Sequence, residues 1–321
     1  MAGVGVIGAL RQISSKFHLL CLQKNTKYFS SLAAGTHVSY ELKDDVAVVK
    51  INSPNSKVNT LSKTVQQEFV KIFDELWLNN DVNSIVLISG KPSCFLAGAD
   101  IGMLKASKSA METTALSRAG QQMLEKVEKS KKPVVAAIMG MCLGGGLEVA
   151  LACHYRIAVK NKKTSLGVPE VMLGLLPGAG GTQRLPKLVS IPNALDMMLT
   201  GKNIRPDKAK KMGLVDQIIE PLGPGIMEPE NRTLAYLEEI AVITARNLTK
   251  GVIKRVPRKR NIIDKITDLV LKYDSGRDLI FKQAMTKVIK LSGGLYPAPL
   301  KILDVSLCFI HLNLLYYKWR L

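Results

Sequence analysis

A chain of 321 residues is too long for one small domain and comfortable for one large α/β domain with appendages. Its composition, 47% hydrophobic and 22% charged, is that of a globular protein with a sizeable core, which excludes wholesale disorder. The net charge of +19 suits an anionic ligand, nucleic acid or an anionic membrane surface, and does not choose among them.

Residues 1–35 carry Arg11, Lys16, Lys24 and Lys27 and no acid, with Ser14, Ser15, Ser30 and Ser31 interspersed. Leu10, Ile13, Phe17 and Leu20 fall at roughly helical spacing. Mixed basic, hydroxyl and apolar residues without acids are the composition of a mitochondrial transit peptide; a secretory signal would set its charge before a continuous apolar stretch. The expectation is a mitochondrial protein, in the matrix or associated with the inner membrane. An ordinary amphipathic tail is the plainer alternative. Gly3, Gly5 and Gly8 spell a dinucleotide fingerprint, but only Met1 and Ala2 precede it and no acid occurs before Glu41. Without a strand in front and an acid behind, that motif cannot hold a dinucleotide.

The runs His37–Leu42 and Val46–Ile51, joined by Lys43-Asp44-Asp45, predict a β-hairpin. A helix is predicted over Leu61–Leu78, with Val65, Phe69, Ile72, Phe73 and Leu76 on one face and Asn59 or Thr60 as its cap. Ser84–Ser89 reads as a buried strand, about Met111 to Lys131 as a helix, and Pro133–Ile138 and Tyr155–Val159 as further strands. Apolar strands alternating with helices argue for an α/β fold with a largely parallel sheet covered by helices. From Ile191 the texture is helical, with a strand-like Leu214–Ile219, and Pro221-Leu-Gly-Pro-Gly225 breaks the chain before an amphipathic helix over Arg232–Lys250. These signals divide the chain into an import segment (1–35), a core (36–225), a helical C-terminal region (226–304) and a divergent apolar tail (305–321).

Arg246 to Lys265 is dense in Lys and Arg but has no aromatic interleaving, so it reads as a solvated face or linker and not as a nucleic-acid site. The tail is apolar from Val305 to Tyr317, short of the roughly 20 residues a membrane span needs. Tyr316, Tyr317 and Trp319 beside Lys318 and Arg320 suit interfacial attachment or packing onto a partner; a buried terminal helix is the plainer reading. Cys21, Cys94, Cys142, Cys153 and Cys308 form no CxxC pair and no zinc spacing with His, which predicts free thiols and no structural metal.

Three stretches could carry chemistry. Ile138-Met-Gly-Met-Cys-Leu-Gly144-Gly145-Gly146-Leu147-Glu148 places three glycines at the start of a helix, directly after a buried strand. Backbone N–H groups there are open to a ligand, and the helix dipole favours negative charge. No Lys-Ser/Thr follows, so the phosphate-loop reading fails and a polarised carbonyl oxygen is the better guest. Glu148 sits in the first helical turn beside it. As a second feature, Glu170 follows Pro169 among Val168, Val171, Met172 and Leu173, where an apolar setting raises a carboxyl pKa toward neutrality. The third is Ala97-Gly98-Ala99-Asp100, a small-residue turn at a helix start; two such turns face to face would make an oxyanion hole. Read singly, each is an ordinary helix start or tight turn. The four His residues offer no credible Ser-His-Asp arrangement.

FLAGADI (95–101), GGGLE (144–148) and PEVMLGLLPGAGGTQRLP (169–186) together resemble the crotonase, or enoyl-CoA hydratase, superfamily. VAVVKINSPNSKVNTLSK (46–63) and LVDQIIEPLGPG (214–225) resemble, within it, the hydratase part of members that continue into a dehydrogenase half. The resemblance runs from about Thr36 to Asp304. It implies a spiral of ββα units with a helical C-terminal region, and a lyase of fatty-acid β-oxidation that hydrates 2-enoyl-CoA, with long-chain substrates favoured. Carried over by residue, it puts the catalytic pair on Glu148 and Glu170 and the oxyanion-hole amides on Ala99 and Gly145. It puts a water-supporting amide on Gly178, and the coenzyme A groove along Lys57, Val58 and Ala97. Met103, Leu104 and Met172 are candidate walls for the acyl chain. Coenzyme A enters as part of the substrate, and no other cofactor is implied.

The implied partners are the acyl-CoA, a thiolase subunit and further copies of the chain, with the inner membrane as a docking surface. Two departures stand out. Met139 occupies a position usually held by a small polar residue, which puts the geometry of the glycine loop in question. The match also stops near Asp304, so no NAD site and no 3-hydroxyacyl-CoA dehydrogenase activity are expected. A double-bond isomerase on the same fold needs one shuttling carboxylate, at the Glu170 position; the presence of both glutamates favours hydration. A chain of weak activity that works by binding a partner or membrane is the rival of another class.

Overall fold

The computed structural model describes residues 35–256, 262–293 and 295–318. The expected import segment falls almost wholly on residues 1–34, outside the described residues. Strand β1 (Val38–Lys43) and strand β2 (Val46–Ile51) pair antiparallel, with Lys43 opposite Val46 and Asp44 and Asp45 in the turn. Helix α1 (Lys63–Leu78) lays Val65, Phe69, Ile72, Phe73 and Leu76 into the core, the face that the apolar spacing predicts. Its cap is Ser62, whose hydroxyl accepts from the Val65 N–H at 3.3 Å, and not the expected Asn59 or Thr60. Asn59 is fully buried instead. Its amide ties the Ser53 N–H (2.9 Å), the Ile51 carbonyl (2.9 Å) and the Ser89 hydroxyl (2.9 Å), fastening the ends of neighbouring strands.

The next strands come in pairs. Strands β3 (Ser84–Ser89), β5 (Val134–Ile138) and β7 (Tyr155–Val159) join β1, β2 and β9 (Gln217–Ile219) in a six-stranded sheet of order β1-β2-β3-β5-β7-β9, parallel from β2 onward. Each of the three is followed by a three-residue strand of a second, parallel sheet: β4 (Cys94–Leu96), β6 (Met141–Leu143) and β8 (Ser165–Gly167). The chain therefore spirals, adding one strand to each sheet per turn. Between β4 and β5 lie α2 (Ile101–Ala106) and α3 (Ala110–Glu128), and between β6 and β7 lies α4 (Gly145–Ala152). This is the α/β spiral that the family resemblance implies. Where β5 passes into β6, Gly140 adopts a φ of 78° and presses on Ser93 so closely that a Cβ would lie 2.0 Å from the Ser93 carbonyl carbon. Only glycine fits there.

Both faces of the large sheet are covered, which is why its strands read as unbroken apolar runs. Ala47, Val49, Ile85, Leu87, Val134 and Ala136 face the main core with α1. Their alternates Val46, Val48, Val86, Ile88, Val135 and Ala137 face α8 (Pro229–Thr249), packing on Leu237, Ala241 and Ala245. Helix α8 is also tied by charge. Arg246 donates to Asp44 (2.7 Å), Asp45 (3.0 Å) and the Lys43 carbonyl (2.8 Å), and Glu238 pairs with Lys43 and with Lys50 (3.1 Å). The first residue of the basic run is thus a structural clasp.

A 3₁₀ turn (Pro169–Leu173) precedes α5 (Gly181–Leu188), α6 (Ile191–Thr200) and α7 (Pro206–Met212). After α8 come α9 (Ile262–Val270), α10 (Asp274–Ser292) and α11 (Pro297–Lys318). Ile302 and Leu303 of α11 join the main core. The sequence boundary at residue 304 lies inside this one helix. Among the described residues no helix is long and apolar enough to cross a membrane.

Candidate active site

Helix α4 begins at Gly145 and is capped by Gly144, so the glycine triplet opens the helix as its composition requires. Glu148, in the first turn, is buried, with 2% of its surface exposed. Two main-chain donors converge on its Oε1, the N–H groups of Ala179 (2.9 Å) and Gly181 (2.6 Å). Among the described residues Oε2 accepts no hydrogen bond. Burial pushes the Glu148 carboxyl up to about 7, against the pull of those two N–H groups and of the Arg184 charge. Without them the acid would be driven still further toward its neutral form.

Glu170 sits in the 3₁₀ turn, which Pro169 opens at a fixed φ. Its carboxyl oxygens are both buried and, among the described residues, accept no hydrogen bond from any other residue; only Glu170's own N–H lies near enough to pull slightly the other way. Burial, and then the charge of Glu148, push it up to about 8. The two glutamates therefore face one site and feel each other's charge. Their settings differ in kind: one carboxyl is held by two N–H donors from a neighbouring loop, which suits the ionised form, and the other by no neighbour's donor, which suits the protonated form.

The glycine loop lies against both. A Cβ on Gly144, whose φ is 53°, would come within 3.0 Å of Glu170 Oε1 and 3.7 Å of the Gly98 Cα. Only a residue with no side chain lets the acid, the loop and the 98–99 turn approach so closely. That turn is fixed by Leu61, whose N–H donates to the Gly98 carbonyl (2.9 Å), and by Asp100, which caps α2 by accepting from Met103 N–H (3.0 Å). The position of a Cβ on Gly145 is bounded by the Ala99 nitrogen at 3.5 Å and by Leu61 Cδ1 at 3.1 Å. The amides of Ala99 and Gly145 are thus neighbours, and among the described residues neither donates to a protein acceptor. Two adjacent unpaired N–H groups, one at a helix start, can hold a developing oxyanion.

The glycine loop is held without help from the residue before Gly140. Met139 is buried and packs on the α8 side of the sheet. The Gly140 N–H donates to Thr164 Oγ1 (3.0 Å), its carbonyl accepts from Ser165 N–H (3.3 Å), and Met141 N–H donates to the Ser93 carbonyl (3.0 Å).

The remaining predicted residues take varied places. Ala97 donates its N–H to the Asn59 carbonyl at 2.8 Å, so the segment holding Lys57 and Val58 runs beside the 97–99 turn. Lys57 is exposed and Val58 half-buried. Gly178 lies in the loop that holds Glu148, but the donors to that carboxylate are Ala179 and Gly181, which the sequence did not single out. Of the candidate acyl-chain walls, Met103 and Leu104 are half-buried, while Met172 is 73% exposed and lies with exposed Leu173 and Leu175 on an open apolar surface.

Comparison with known proteins gives these residues a family. Residues 41–267 match the model described as "Enoyl-CoA hydratase/isomerase". The chain is 44% identical over 261 residues to the fatty acid oxidation complex subunit alpha of Shewanella amazonensis, covering 81% of this chain and 34% of that protein. The corresponding Shewanella putrefaciens protein is 45% identical over 263 residues, with the same coverage. The chain spans about a third of the length of the curated relatives it matches. Among solved structures, an enoyl-CoA hydratase from Geobacillus kaustophilus superposes with a TM-score of 0.60 at 30% identity, over 68% of this chain and 78% of that one. A second, from Bacillus anthracis, gives a TM-score of 0.58 at 25% identity, over 80% and 92%.

Proposed function

The chain belongs to the enoyl-CoA hydratase/isomerase family, and from that premise we propose that it adds water across the double bond of 2-enoyl-CoA thioesters. The observation that carries this reading is the convergence of two unlike carboxyls, Glu148 and Glu170, on a pair of unpaired amides at Ala99 and Gly145. In the proposed reaction the thioester carbonyl accepts from the Ala99 and Gly145 N–H groups. Glu148, ionised and steadied through Oε1, takes a proton from water through its free Oε2. The water oxygen bonds to C3, the C2–C3 π electrons move into the enolate, and the N–H pair carries the developing oxyanion charge. Glu170, protonated, delivers its proton to C2, completing the addition. Gly178 is assigned an amide for the reacting water, and Lys57, Val58 and Ala97 the coenzyme A groove beside the 97–99 turn.

An isomerase shifting a double bond between C3 and C2 would need one carboxyl shuttling one proton. Two carboxyls in opposite protonation settings favour hydration. The test is the wild-type rate on 2-enoyl-CoA against 3-enoyl-CoA. A hydratase forms 3-hydroxyacyl-CoA from the first; a chain that converts only the second is an isomerase, and one that turns over neither acts by binding.

The likeness to fatty acid oxidation complex alpha subunits supports a finer reading, the hydratase part of a mitochondrial trifunctional protein alpha subunit. On that reading the substrates are long-chain, the partner is a thiolase subunit and the setting is the mitochondrial matrix or inner membrane. The basic, acid-free residues 1–35 support the compartment.

A further inference from the structure

The loop that holds Glu148 is itself held from outside the site. Ser117 and Gln121 lie one turn apart on α3, and both donate to the Gly178 carbonyl, through Oγ at 2.6 Å and Nε2 at 2.8 Å. Gln121 Nε2 also lies 3.2 Å from Ser117 Oγ, so the two side chains are oriented by each other. The same peptide unit that offers this carbonyl carries the Ala179 N–H, which donates to Glu148 Oε1 at 2.9 Å. One rigid amide plane therefore links two side chains of α3 to the carboxylate. Its carbonyl end is polarised by two donors, and polarisation of the carbonyl strengthens donation from the N–H at its other end.

Nothing in the packing of the loop requires this arrangement at Gly178. Gln121 is exposed, and a Cβ on Gly178 would meet nothing nearer than Ser117 Oγ at 3.5 Å. The neighbouring carbonyl, of Ala179, has its own support. It accepts from Arg184 at 2.8 Å, and Arg184 pairs with Glu128 at the end of α3 at 2.8 Å. Helix α3 thus fixes the peptide unit that carries the Ala179 donor directly and, through Glu128 and Arg184, the Ala179–Gly180 unit that follows it.

We propose that Ser117 and Gln121 are positioning residues for the reaction, acting on Glu148 through the Gly178–Ala179 peptide plane. The inference rests on the hydratase reading for its effect on rate, and on the geometry alone for its effect on the carboxyl. Weakening the carbonyl end loosens the N–H from the ionised carboxylate, so Glu148 takes up its proton at higher pH and is less often poised as base.

The test uses the full chain with Ser117→Ala/Gln121→Ala, and with Ser117→Thr as the conservative variant. Infrared titration follows the Glu148 carboxyl, identified as the band lost in Glu148→Gln. In the double variant that carboxyl is expected to protonate about half a pH unit higher, which lowers its ionised fraction, and with it kcat on 2-enoyl-CoA at pH 7, about twofold while KM stays at the wild-type value. Ser117→Thr keeps the hydroxyl and restores both the titration and the rate. Melting temperature measured alongside separates a loosened fold from a displaced proton equilibrium. A carboxyl that titrates as in the wild type overturns the inference, whatever the rate does. A wild-type chain that fails to hydrate 2-enoyl-CoA sinks the functional reading, while the infrared titration still decides this one.

Discussion

Gly181→Ala is a small change aimed at the loop that holds the proposed base. The new Cβ would lie 2.9 Å from Glu148 Oε1, 3.0 Å from Pro177 Cβ and 3.1 Å from Glu148 Cγ. Ordinary contact needs roughly 3.4 Å or more, so either the carboxylate or the loop must shift by about half an ångström. The Gly181 N–H bond at 2.6 Å is the shorter of the two on Oε1 and is lost or stretched by that shift. A hydrogen bond to a charged group contributes about 1.5–3 kcal/mol, and misplacing a reacting group by a fraction of an ångström adds to the loss. We expect kcat on 2-enoyl-CoA at pH 7 to fall about 10- to 100-fold. KM should change little, since the contact touches the proposed base and not the coenzyme A segment. Overpacking should cost about 1–3 kcal/mol of stability, read by denaturant unfolding. Steady-state kinetics with purified variant and wild type are the assay. A variant with wild-type kcat, or one changed only in KM, refutes the placement of Glu148 as the group that reacts.

Other outcomes follow from the same structure. The pH profile of kcat/KM should be bell-shaped, with an acid limb near 7, where Glu148 gains its proton, and an alkaline limb near 8, where Glu170 loses its own. A rate that is flat across this range would contradict the assignment. Glu170's pKa is raised by folding, so stability is lost as pH climbs from the unfolded value near 4.5 to about 8, and the penalty stays constant above that. Glu170→Gln should therefore leave Tm near the wild-type value at pH 5 and raise it by roughly 4 °C at pH 9. Away from the site, Arg156 is 1% exposed and pairs with buried Asp216, which also accepts from Arg255 (3.0 Å) and from the Arg156 N–H (2.9 Å). Asp216→Ala strands a buried cation and should cost about 3–5 kcal/mol in denaturant unfolding, with Arg156→Met/Asp216→Leu recovering part of it.

Much of this was legible because buried parallel strands and glycine turns leave strong marks. Ser84–Ser89 and Tyr155–Val159 stand in the structure at the residues their apolar runs predict. The second sheet left no such mark. Cys94–Leu96, Met141–Leu143 and Ser165–Gly167 are too short for any periodicity to register, and they became visible only as the floor beneath the glycine turns. The cap of α1 differs from the expected one for a related reason. Asn59 has the chemistry of a cap, but burial between strand ends claims its amide and leaves the role to Ser62. At the site, Glu148 and Glu170 stood out because an acid beside a glycine loop or a proline in an apolar stretch is unusual. Their supports did not. The N–H groups of Ala179 and Gly181 carry no residue signature, and Ser117 and Gln121 look like any polar pair on a helix face.

The measurement that bears most directly on the account is the hydration rate of 2-enoyl-CoA by the wild-type chain, Glu148→Gln, Glu170→Gln and the double variant, all at pH 7.5. If the two carboxyls act as one acid–base unit, each single change should lower kcat by about 100- to 10,000-fold, and the double change should cost little more than either alone. Either single variant retaining a wild-type rate would contradict the claim that water and proton are delivered by this pair.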